Sequence, residues 1–283
     1  MMFKRFILIL KFPMNFIKIN KILEKRLIKI EKRLRFAIAV FSLSFLLLVS
    51  TFFYFDKAWF FLPILIIATY FFTYFSILED IKKIEWLMLF LMPIFLTLSF
   101  YLFYFLFPGR WLTRFPFIIF YAISIYAILL TSNIFNVGVE KNLSLYRAAF
   151  SINFFYQTII LFFIFNILFY FRQGFLINGV VGLLTVFLLS LQLLWSVHLK
   201  IKIERGLVNY ALFLALVVVQ IIIVFSFLPV PITVFSLLIT GVYYSLIGLI
   251  YHFIDKRLFT QTVREFLFVL GLIFFFVFFL IRW

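Results

Sequence analysis

Residues Phe16–Phe55 read FIKINKILEKRLIKIEKRLRFAIAVFSLSFLLLVSTFFYF. The first half alternates lysine with aliphatic residues and the second half carries no charge. On a helix turning about 100° per residue, Phe16, Ile19, Leu23, Leu27, Ile30 and Leu34 fall within roughly 80° of one another. Lys18, Lys21, Lys25, Lys29 and Lys32 gather on the opposite face. This pattern predicts a basic amphipathic helix lying at a membrane surface, its lysines contacting anionic lipid headgroups. The uncharged half is about as long as the 20 or so residues needed to cross a hydrocarbon core. The stretch therefore reads as a cytoplasmic arm leading into a first membrane span, because Lys and Arg accumulate on cytoplasmic flanks.

Composition extends that reading to the whole chain. Of its 283 residues, 67% are hydrophobic and 13% charged, and 48 are Phe. Mean hydropathy is +1.23. A water-soluble fold would lack polar residues for its surface, whereas lipid can solvate such a chain. The net charge of +16 sits largely in the N-terminal arm and short loops, so it points to the membrane surface and not to nucleic acid. The absence of cysteine excludes disulfides, thiolate catalysis and cysteine metal sites. The brief apolar run Phe6–Leu10 has no small-residue cleavage site before Lys11, so no cleaved signal peptide is expected.

Nine segments are long and apolar enough to span: Phe36–Phe55, Ala58–Leu78, Trp86–Phe107, Pro116–Val137, Ala148–Phe171, Phe175–Leu199, Gly206–Leu228, Ile232–Ile254 and Phe266–Ile281. The expected fold is an all-α polytopic bundle of about nine transmembrane helices, residues 36–283, preceded by the basic amphipathic arm, residues 1–35. Short connections make neighbours antiparallel. With the N-terminus cytoplasmic, only five of the 26 Lys and Arg fall outside: Lys57, Arg110, Arg114, Arg172 and Arg282. That asymmetry predicts a cell-membrane protein with a cytoplasmic N-terminus and an extracytoplasmic C-terminus. Pro63 and Pro93 fall within spans and should kink them unless neighbours bond the freed carbonyls.

No Asp or Glu falls inside a span, which disfavours transport coupled through membrane carboxylates. There is no His-Glu-x-x-His and no Gly-x-Ser-x-Gly. The pair Glu79-Asp80 is followed by Lys82 and Lys83, as in a solvated loop. His198 and His252 lack ligand spacing, and interfacial histidine needs no metal to explain it. No catalytic residue, metal or cofactor is expected.

The polar residues that remain are amides. Asn133, Asn136, Asn153, Gln157, Gln192 and Asn209 lie in the inner halves of their spans, with Glu140 and Arg147 flanking the turn between spans four and five. Asn153 and Gln157, four apart, share a helix face. Two roles compete for this set. Amides in lipid bond across helices and fix packing, or they line a cytoplasm-facing vestibule with cations at its mouth. Gly241, Ser245 and Gly248, and Gly179 with Gly182, form small-residue stripes suited to close helix contacts. The first functional reading is a non-catalytic scaffold or assembly partner that engages another membrane protein. A transporter or lipid-handling protein using the vestibule is the alternative, and an intramembrane enzyme acting at the cytoplasmic side is a third reading.

Overall fold

The computed structural model describes residues 30–53, 58–77, 86–137, 143–199, 203–227 and 230–280. Among them are nine α-helices: α1 (Lys32–Ser50), α2 (Ala58–Ile77), α3 (Trp86–Tyr104), α4 (Trp111–Val137), α5 (Leu143–Tyr170), α6 (Phe175–Ser196), α7 (Arg205–Phe225), α8 (Ile232–Ile254) and α9 (Thr260–Leu280). Each is long and apolar enough to cross a membrane, and the described residues form no strand. Helix is the expected outcome, since a strand edge in hydrocarbon would leave backbone groups unbonded.

Several helices start earlier than their hydropathy spans, while most stop short of the expected C-terminal end. α4 starts at Trp111 and not Pro116, α5 at Leu143 and not Ala148, and α9 at Thr260 and not Phe266. Charged and hydroxyl residues dilute a hydropathy window, yet headgroups and water solvate them while the backbone stays helical. The same effect moves Lys32–Arg35, expected in the arm, into the first turn of α1. Glu31 has extended backbone angles (φ −53°, ψ 138°), so α1 begins there and does not continue an earlier helix without a break. The proposed amphipathic arm itself, with Lys18, Lys21, Lys25 and Lys29, lies outside the described residues.

Two rings of four helices make up the bundle. In the first, α1 packs on α2 and α4, and α3 closes the ring between α2 and α4; in the second, α5, α6, α7 and α8 follow one another and α8 returns to α5. α5 joins the rings by packing on α3 and α4, while α6 also touches α3. The joint is aromatic: Phe103 stacks on Phe163 with centroids 4.0 Å apart, and Phe100 meets Phe163, Phe117 and Tyr121. α9 stands apart, packed on α8 and otherwise facing outward, with Val277 its one fully buried residue.

Lipid removes most of the hydrophobic drive between helices, so close packing and hydrogen bonds must hold the rings. In the first ring Thr69 Oγ1 donates to Thr97 Oγ1 (3.2 Å), which lies 2.9 Å from Tyr121 Oη, linking α2, α3 and α4. Pro93 deprives the Leu89 carbonyl of its usual helical donor, and Ser132 Oγ of α4 donates to that carbonyl instead (3.2 Å). A neighbouring helix thus meets the backbone deficit that the proline creates. Both small-residue stripes are helix contacts. A Cβ on Gly182 would meet Ile222 of α7 at 2.6 Å, and Cβ atoms on Gly241 and Gly248 would meet Ile273 and Phe266 of α9 at 2.1 and 2.3 Å.

Three helices end in a left-handed residue, Arg172 (φ 49°), Leu199 (φ 43°) and Lys256 (φ 56°). At Lys256 the next amide, Arg257 N, donates back to His252 O (2.9 Å), which stops α8 and turns the chain towards α9.

Candidate functional site

Three amides of the second ring, Asn153, Gln157 and Gln192, meet in its interior. Gln157 lies midway along α5, and Tyr243 midway along α8. Gln157 Nε2 donates to Gln192 Oε1 (2.7 Å) and to the Leu189 carbonyl (2.9 Å), while Gln157 Oε1 accepts from the Tyr243 hydroxyl (2.7 Å). Asn153 Nδ2, one turn earlier, donates to the same Gln192 Oε1 (3.0 Å). Ser190 Oγ is a further hydrogen-bond neighbour of Tyr243. All four members of the cluster are buried, and they tie α5, α6 and α8 together. A neutral cluster of this kind avoids the large cost of burying charge while still meeting polar groups in a poorly solvating interior. Asn153 Oδ1 is the exception, buried without a hydrogen-bond partner.

The other expected site residues do not join it. Asn136 is buried at the far end of α4 and donates from Nδ2 to the Ile77 carbonyl of α2 (3.3 Å), within the first ring. Asn133 is half-buried on α4. Asn209 is exposed on α7, turned away from the bundle interior, and Arg147 is exposed on the first turns of α5. Glu140 lies outside the described residues, as do Glu79 and Asp80. Among the described residues no three His, Cys, Asp or Glu come together as a metal site would require.

Two features escaped the sequence reading. Tyr243 completes the cluster, but an inventory restricted to amides passes over a tyrosine; its position in mid-span was the available signal. Arg35 is only 1% exposed, at the start of α1. Its charge argued for the solvated arm, whereas its helical spacing to Ala39 and Leu43, both fully buried, places it on the inward face.

Other polar side chains fasten helix ends. Tyr146 of α5 donates to the terminal carbonyls of α6, Ser196 and, at 2.8 Å, Val197. At the opposite end, Arg114 Nε donates to Tyr104 Oη (2.8 Å), and its guanidinium sits 4.5 Å from the centre of the Phe52 ring. That contact binds α4 to α3 and to the end of α1 by a cation–π interaction.

Between α5, α8 and α9 lies a lateral groove of about 500 Å³. Its walls are aromatic: Phe150 stacks on Tyr251 (4.2 Å), Phe154 on Tyr244 (4.9 Å), and Phe266 of α9 packs at a tilt against Tyr244. Arg147 lies at one end and Thr158 at the other. A second cavity of similar size opens at the opposite end of the ring, lined by Arg172, Asn178 and Phe235 among others.

Nine helices long and apolar enough to span, among the described residues, around a neutral hydrogen-bonded amide cluster define a polytopic α-helical membrane protein. Within that class, residues 81–280 match the model of the DUF5656 family, described as a protein of unknown function, and the chain belongs to this family. The matched region holds α3 to α9, and so includes the amide cluster and the groove. No curated protein and no solved structure matches the chain.

Proposed function

We propose that this protein is a non-catalytic membrane scaffold whose polar interior serves to hold helices in place. The observation that carries this reading is the Asn153–Gln157–Gln192–Tyr243 cluster, in which side chains from three helices bond mainly to one another. Interhelical bonds of this kind suit a rigid platform, and a protein partner would then engage the periphery. The excess of Lys and Arg on one set of loops supports a cytoplasmic N-terminus in a cell membrane. On this reading Lys18, Lys21, Lys25, Lys29 and Lys32 hold the N-terminal segment at anionic lipid.

A second reading, transport through a cytoplasm-facing vestibule, is favoured by the unpartnered Asn153 Oδ1, since such an atom would suit a passing solute or water. The cysteine-free chain allows a direct decision. Single cysteines at Asn153 and Gln192 should resist a membrane-impermeant thiol reagent in folded protein, while a cysteine at Arg257, in the turn after α8, should react. Rapid labelling at 153 and 192 in monodisperse protein would refute the scaffold reading and establish a water-filled path. The scaffold reading further expects a stoichiometric protein partner after mild extraction from the native membrane.

A further inference from the structure

The aromatic groove between α5, α8 and α9 has the dimensions and polarity of a lipid site. It opens sideways from the bundle, within the membrane-spanning part of three helices, and Ser151 and Phe155 along its α5 side are exposed. From Arg147 to Thr158 it follows eleven residues of α5, about 16 Å at 1.5 Å per residue. One leaflet of a roughly 30 Å hydrocarbon core is about 15 Å deep. The groove thus runs from the membrane surface to near the midplane.

Its two ends differ in chemistry. The deep end is walled by Phe154, Tyr244 and Phe155, which suit a hydrocarbon chain. The surface end carries Arg147, exposed and with no acidic partner among the described residues. Nearby Asp255 is engaged by Arg257 (Nε–Oδ2, 3.4 Å), and the α8–α9 turn adds Lys256. This end therefore favours an anion, and its guanidinium can bond phosphate oxygens. We propose that the groove holds one acyl chain of an anionic glycerophospholipid, with the phosphate on Arg147.

The site is separate from the amide cluster and is independent of the scaffold reading. It is tested on the full chain by native mass spectrometry in mild detergent, with phosphatidylglycerol and phosphatidylcholine of identical acyl chains supplied together. The wild-type protein should retain phosphatidylglycerol preferentially as its first bound lipid. Arg147→Gln should reduce that preference about fivefold, the change expected for one cation at a headgroup. Arg172→Gln, an exposed arginine at the opposite membrane face, should leave it unchanged. Ser151→Trp places an indole in the groove from an exposed position and should lower first-lipid occupancy severalfold for both lipids. The proposal is overturned if Arg147→Gln and Ser151→Trp bind both lipids as the wild type does, or if neutral lipid is retained equally. It is likewise overturned if the groove binds protein, seen as a dimer that Ser151→Trp dissociates.

Discussion

Replacing Gln157 by leucine measures what the central cluster contributes. The substitution nearly conserves volume and removes three interhelical hydrogen bonds, those to Gln192, Leu189 and Tyr243. Side-chain hydrogen bonds between membrane helices average about 0.6 kcal/mol and reach about 1.7. Three of them give about 2 kcal/mol. The Tyr243 hydroxyl would lose its acceptor, adding to the cost, but Ser190 lies close enough to take part of its place. The expected destabilisation is therefore about 2–3 kcal/mol. Asn153→Leu serves as the internal control. It removes one bond and also a buried oxygen that has no partner, so the two effects oppose and the net change should stay below about 1 kcal/mol. Reversible unfolding in mixed micelles with increasing dodecyl sulfate, followed by circular dichroism, would give both values. A double-mutant cycle with Tyr243→Phe should show a coupling of about 1 kcal/mol. The reasoning fails if Gln157→Leu costs no more than Asn153→Leu, or if the Gln157–Tyr243 coupling is zero.

Two further outcomes test the packing and the sidedness. Gly248→Ala should destabilise the protein by about 1–3 kcal/mol, because the new methyl meets the Phe266 ring; Gly241→Ala should cost less, since the end of the Ile273 side chain can swing aside, and the same titration would separate them. In intact cells an impermeant maleimide should label a single cysteine at Arg110 and miss one at Arg257 until the membrane is broken, with the reverse result inverting the proposed orientation.

The spans were readable because lipid demands little beyond length and apolarity. Ile232–Ile254 was delimited to the residue, and the eight other helices to within six residues at each end. What composition could not supply was rotation. Asn153 and Gln157 share a face on any α5, but whether that face meets Gln192 or lipid depends on how α5 and α6 turn towards each other. The same ignorance grouped Asn209 with the inner amides, although α7 points it outward. Asn136 shows a related limit: it lies near the end of α4, as its place in the span suggested, yet it belongs to the first ring, and the division of the helices into two rings leaves no mark in hydropathy. Arg35 was misassigned for a different reason. A charge argued for water, and the buried face beginning with Phe36 and Ala39 argued otherwise.

The one-sided attachment of α9 bears on how the chain assembles during synthesis. Each earlier helix belongs to a closed ring, whereas the last has α8 as its principal neighbour. Both rings can consequently close without α9. Its arrival then amounts to docking against a finished surface, where the glycines of α8 wait for Phe266 and Ile273. A failure of that docking would cost this protein its flank while leaving its centre intact.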